Sequence, residues 1–106
     1  MRMDQIMKQA QKLQTKMDEI QKKLADMRLE GEAGGGMVKA IVDGQQNLLE
    51  VKIDPEVVNP DDIQMLEDLV VAAVREARRK AQELAAEEMK TVTGGLMIPG
   101  LFGPTK

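Results

Sequence analysis

The chain has no cysteine, histidine, serine, tryptophan or tyrosine, and a single phenylalanine, Phe102. Each absence removes a class of chemistry. Without cysteine there is no disulfide framework and no thiolate, and a reducing, cytoplasmic setting is the expectation. Without histidine and serine, the commonest general base, the serine nucleophile and the usual zinc and copper ligands are lost as well. Asp, Glu, Lys, Arg and four threonines are what remain. The expectation is therefore not an enzyme: no catalytic residues, no cofactor and no resident metal. Scarcity of aromatic rings argues against binding single strands by base stacking. No run of about 18 apolar residues occurs, so no transmembrane helix is expected. The opening MRMDQIMKQA is polar throughout, unlike a signal peptide.

What is present is charge, unevenly spread. The net charge is −3, from 15 Lys and Arg against 18 Asp and Glu. Residues 1–30 hold seven basic and five acidic side chains, whereas 31–60 hold two against five and 61–90 hold five against eight. The positive excess sits at the N-terminal segment. A chain of 106 residues implies one domain with a thin core, which a shared dimer core would thicken.

The pattern divides into helix, sheet and helix. Met3, Ile6, Ala10, Leu13, Met17, Ile20, Leu24 and Met27 follow alternating three-and-four spacing, so a helix over about 2–28 carries a narrow apolar seam. A self-pairing coil and a helix packed along the chain's own second helix fit that seam equally. Gly31 and the triplet Gly34, Gly35, Gly36 end the helical pattern. Leu29 to Ala33, Met37 to Val42 and the alternating Leu49, Val51, Ile53 predict a three-stranded antiparallel meander over about 29–54, with Asp43-Gly44 as a hairpin turn. Three strands expose a face and two edges, which helices or a second subunit must cover.

A second helix is expected over about 60–92. Asn59 would cap it, Pro60 would take its first position, and Asp61 and Asp62 would sit in its first turn. Ile63, Leu66, Val70, Val74, Ala77, Ala81 and Leu84 mark its apolar stripe, and Gly94-Gly95 stops it. About 33 helical residues span roughly 50 Å, while a compact chain of this length is only about 33 Å across. The second helix must project or lie on another subunit. The fold class is α+β: a single domain over 1–95, with a flexible tail at 96–106, forming an intertwined homodimer with projecting helical arms.

Candidate sites are few. GEAGGG lacks the spacing of a phosphate loop and leads into a strand, so it reads as a turn. Asp54, Glu56, Asp61 and Asp62 lack the alternation of a calcium loop, and helix capping accounts for the last two. Two basic groupings remain. Lys8, Lys12, Lys16, Lys22, Lys23 and Arg28 lie off the apolar seam, and Arg75, Arg78, Arg79 and Lys80 cluster on the second helix. Arms carrying these cations can meet DNA phosphates; the alternative is a solvated face balanced by Glu76, Glu83 and other acids.

The assembled pattern resembles the YbaB/EbfC family of bacterial nucleoid-associated proteins. The matching segments are MKQAQKLQ at 7–14, GGGMVKAIVDG at 34–44, VKIDPEVVNPDDIQMLEDLVVAAVREA at 51–77 and TGGLMIPGL at 93–101. The resemblance implies a helix, a three-stranded sheet and a long helix in each subunit of a tweezer-like homodimer. It also implies double-stranded DNA binding with little sequence preference, altered DNA conformation, and a role in nucleoid organisation or gene expression. It assigns no DNA contact to a particular Lys or Arg. Two other readings compete: a dimeric adaptor binding another protein through its arms or apolar tail, and a carboxylate-metal hydrolase, which would need metal-dependent turnover.

Overall fold

The N-terminal seam becomes helix α1, Met3–Ala25, in a computed structural model that describes residues 3–93. Packing along the chain's own second helix accounts for only part of it. Ile20 and Leu24 are buried with Val92, flanked by Met17, Met27, Leu84, Ala85 and Met89. The upstream half, including Met3, Ile6 and Leu13, stays exposed. α1 ends three residues before the expected Arg28, whose guanidinium donates to the carbonyls of Ala25 (3.2 Å) and Met27 (2.9 Å). A cation at that end satisfies orphan carbonyls and complements the helix dipole.

The expected meander forms in the expected order, β1 (Leu29–Ala33), β2 (Val38–Val42) and β3 (Leu48–Ile53), antiparallel throughout. Gly34, Gly35 and Gly36 join β1 to β2 with φ of 64°, 69° and 91°, a left-handed run that only glycine adopts cheaply. The β2–β3 connection is longer than the two-residue turn expected from Asp43-Gly44. The Asp43 carboxylate accepts from the amides of Gln45 (2.8 Å) and Asn47 (2.9 Å) and from the Asn47 side chain (3.0 Å). This Asx-type closure puts the left-handed residue at Gln46 (φ 72°). Gly44 is needed for another reason: a Cβ there would lie 2.6 Å from the Leu24 carbonyl oxygen.

A second departure follows in β3. Ile41 pairs with Glu50 but Val42 pairs with Leu48, so the register shifts and Leu49 is left over. Such a bulge breaks strict alternation. Leu48, paired with Val42, therefore joins Val51 and Ile53 on one face.

Helix α2, Ile63–Thr93, lies across β1 and β2. Val38, Ala40 and Val42 of β2 meet Ala73, Ala77 and Ala81 of α2, all fully buried. Alanines let the helix approach closely, and Gly31 of β1 completes the fit: its missing Cβ would strike the backbone of Ala73 and Ala77. The other sheet face carries Glu30, Glu32, Lys39, Glu50 and Lys52, with ion pairs Lys39–Glu30 (3.7 Å) and Lys52–Glu50 (3.8 Å). That face is at home in water, so it is not the face that requires cover.

The start of α2 also differs from expectation. Asn59 accepts from the Asp61 amide (2.9 Å) and closes a separate turn containing Pro60. Asp62 is the residue that caps α2, accepting from the Met65 amide (3.2 Å). Asp54 does the same for a single 3-10 turn, Pro55–Val57, through the Glu56 amide (2.8 Å). The predicted projection is present. The chain measures 72 × 31 × 16 Å, and its radius of gyration of 19.8 Å far exceeds the value of about 13 Å for a compact chain this long. The tail expected at 96–106 lies outside the described residues.

Candidate nucleic-acid interface

The cations divide into two groups once their partners are known. Lys8, Lys12 and Lys16 recur every fourth residue on α1, Lys8 and Lys12 well away from the apolar seam and Lys16 beside it. All three are exposed, and among the described residues none forms an ion pair. Gln11, Thr15 and Glu19 share their face and line a shallow hollow with them. Because one helix supplies the whole lining, the hollow is relief between side chains and not a pocket for a small molecule. Between Met3 and Met17 one acid, Asp4, stands against these three lysines, so the tip of α1 is positive in a chain that is negative overall. Lys22, Arg75 and Arg78 are likewise exposed and form no ion pair among the described residues.

The other four sequence candidates are engaged within the chain. Lys23 pairs with Glu88 of α2 at 3.0 Å and ties the two helices together. Arg28 closes the end of α1, as described. Lys80 donates to the Glu30 carbonyl of β1 at 2.7 Å. Arg79 is held between Glu76 (2.9 Å) and Glu83 (2.6 Å). The hydrogen bond that the guanidinium donates to Glu76 is the main reason that its pKa rises, and the charges of Glu76 and Glu83 add to it. Reciprocally, the Arg79 hydrogen bond lowers the Glu76 carboxyl, with the Arg79 and Lys80 charges acting in the same direction. Lys23 and Arg79 are thus offset by carboxylates before any ligand arrives, while Arg28 and Lys80 keep their charge but are held in place by backbone carbonyls.

Spacing alone announces the Glu76–Arg79–Glu83 clasp, since residues three and four apart on a helix are neighbours. Lys23–Glu88 and Lys80–Glu30 join residues far apart in sequence and carry no local signal. Lys39 and Lys52, absent from the sequence candidates, lie on the charged sheet face, where each already pairs with a glutamate. Among the described residues, no group of three or more acids gathers as a metal site. No helix among them is long and apolar enough to cross a membrane.

Comparison with known proteins gives this geometry a context. A family model described as the YbaB/EbfC DNA-binding family matches residues 1–96. A nucleoid-associated protein of Syntrophobacter fumaroxidans is 54% identical over 98 residues, covering 92% of this chain and 89% of the relative. One from Caldanaerobacter subterraneus subsp. tengcongensis is 50% identical over 97 residues, covering 92% and 87%. The crystal structure of an uncharacterized protein from Helicobacter pylori superposes with a TM-score of 0.69 at 18% identity, covering 91% of this chain and 97% of that one. At that identity the likeness is one of fold.

Proposed function

The chain belongs to the YbaB/EbfC DNA-binding family, and from that membership we propose that it is a nucleoid-associated protein that grips double-stranded DNA as a homodimer. The free cations of the projecting helices meet backbone phosphates, with little sequence preference. Such contacts alter DNA conformation and bear on nucleoid organisation or gene expression, in the cytoplasm. The reading needs no catalysis and no cofactor. One observation carries it: Lys8, Lys12 and Lys16 stand in an exposed, unneutralised row on an arm with a local positive excess.

The homodimer rests on what α2 leaves open. Leu48, Leu49 and Ile53 of β3, with Val58, Ile63 and Met65 beyond it, are between 39 and 48% exposed. These large apolar side chains follow one another around β3 and the start of α2, and a second copy laid there removes them from water. Light scattering is expected to give twice 11.7 kDa at micromolar concentration; a monomeric mass refutes the dimer.

The DNA reading is tested by affinity for several unrelated duplexes across a salt series. Phosphate contacts release counterions, so log affinity falls linearly with log salt, with a slope of roughly −4 to −7 if the dimer neutralises about 4–8 phosphates. Replacing Lys8, Lys12 and Lys16 together by Gln flattens the slope and weakens every duplex by a similar factor. The fold survives, because Gln is nearly as good a helix former as Lys and these positions are exposed. Salt-independent affinity, or unchanged binding by the folded variant, removes the mechanism and favours an adaptor that binds another protein.

A further inference from the structure

The apolar seam of α1 outruns the helix that covers it. The two helices run antiparallel, as Lys80 at the Glu30 carbonyl and Lys23 at Glu88 require. Val92, near the end of α2, is buried in one cluster with Ile20 and Leu24. α2 therefore finishes about level with Met17, while α1 continues to Met3. Along that stretch Met3 is 57%, Ile6 54% and Leu13 36% exposed, and Ala10 between them is exposed as well. Four seam positions thus continue an existing intramolecular interface with nothing among the described residues laid upon them.

We propose that the segment Leu96–Phe102, which follows α2 in sequence, folds back on its own chain and lies along this exposed part of the α1 seam. Length, position and chemistry agree. From Met17 to Met3 the helix axis covers about 21 Å. From Leu96 to Phe102 an extended chain covers about 20 Å. Gly94-Gly95 gives the chain a helix stop and freedom to change direction at the place where the uncovered seam begins. Pro99 lacks an amide and cannot extend α2, but an extended ribbon tolerates it.

Composition supports the same occupant. No charged residue falls between Lys90 and Lys106, and Leu96, Met97, Ile98, Leu101 and Phe102 are apolar. Two apolar surfaces of matching length, one on α1 and one beginning where α2 stops, remove each other from water. Lys8 and Lys12 lie well around α1 from the seam and Lys16 borders it through Leu13 and Ile20, so a docked segment leaves Lys8 and Lys12 open and runs beside Lys16. The inference does not depend on DNA binding.

The chain's lack of tryptophan and cysteine makes the test clean. In full-length Phe102→Trp the single indole emits as a buried group, and adding Ile6→Asp moves the emission to that of exposed indole with far-UV circular dichroism unchanged. Exposed emission from the start, or emission that Ile6→Asp does not move, overturns the proposal. A second variant, Ile6→Cys with Leu101→Cys, separates the chain's own tail from a neighbour's. Treatment with a short bis-maleimide, under dilute conditions, yields a cross-link that keeps the single-chain mass on a denaturing gel. A covalent dimer, or no cross-link, overturns docking within one chain.

Discussion

Replacing Gly31 by Ala tests how tightly the sheet sits on α2. The new Cβ strikes the Ala77 amide and the Ala73 carbonyl and lies 2.9 Å from the Ala77 Cα. All three neighbours are backbone of one helix, so no rotamer change relieves the contact; the sheet and helix must part. Parting loosens the interface where Val38, Ala40 and Val42 meet Ala73, Ala77 and Ala81 at full burial. Overpacking of this kind costs about 3 kcal/mol at the upper end of its usual range. Reduced freedom of the unfolded chain returns about 0.4–1 kcal/mol. The net loss is therefore about 2 kcal/mol, a fall in Tm on the order of 10 °C for a domain of this size. Far-UV circular dichroism at matched protein concentration is the assay, since the chain has no tryptophan. Gly35→Ala is the comparator: its Cβ meets nothing within 4 Å, and only its φ of +69° opposes the change, at about 1 kcal/mol. Trimming Ala77 to Gly does not rescue Gly31→Ala, because the obstruction is the Ala77 amide and not its methyl. A Gly31→Ala protein that melts with wild type, or is rescued by that trim, refutes the close approach.

Three further outcomes are expected. Arg75→Gln with Arg78→Gln lowers the salt slope of DNA binding by about one for each phosphate left without its cation, whereas Arg79→Gln changes it less because Glu76 and Glu83 already hold that guanidinium; equal effects in a salt series contradict the division into free and engaged cations. Asp43 is held below the usual carboxylate range, mainly by the Asn47 side-chain hydrogen bond and, less strongly, by the amides of Asn47 and Gln45 and the charge of Arg28, with burial opposing them. Its contribution to stability is thus fully present above about pH 4 and fades as pH falls through the lower folded value, so urea titrations of Asp43→Asn show a shallower loss of stability below pH 4 than wild type. Asp62→Ala removes the cap of α2 and costs about 1 kcal/mol by urea denaturation, while Asn59→Ala leaves the helix start intact.

How much was legible follows from the range over which each signal acts. The seam on α1, the three strands and the long second helix rest on periodicity within a dozen residues, and all three form. The glycine triplet was readable as a turn because it lacks the spacing of a phosphate loop and leads into a strand, and its three left-handed residues agree. What went astray depends on choices between near-equivalent local signals. Asn59 and Asp62 are both good caps three residues apart, and Pro60 favoured the first; the turn took Asn59 and the helix took Asp62. Asp43-Gly44 signals a tight hairpin, but Asp43 can close a longer loop with its own carboxylate, and that loop shifts β3 by one residue at Leu49. In the basic groups, i to i+4 spacing exposed the clasp on Arg79. The engagement of Lys23 with Glu88 and of Lys80 with Glu30 exists only after the helices and sheet have come together.

The elongated outline sets a measure for occupancy along a duplex. A turn of B-DNA advances about 35 Å, so a body 72 Å long laid lengthwise passes two turns and meets the same groove face twice. It occludes about 21 base pairs in that pose, at about 3.4 Å for each pair. Set crosswise, its 31 Å width shields only about nine. A footprint of the bound homodimer shorter than about 21 base pairs therefore excludes a pose in which either chain lies lengthwise on the duplex, without any knowledge of which phosphates are touched.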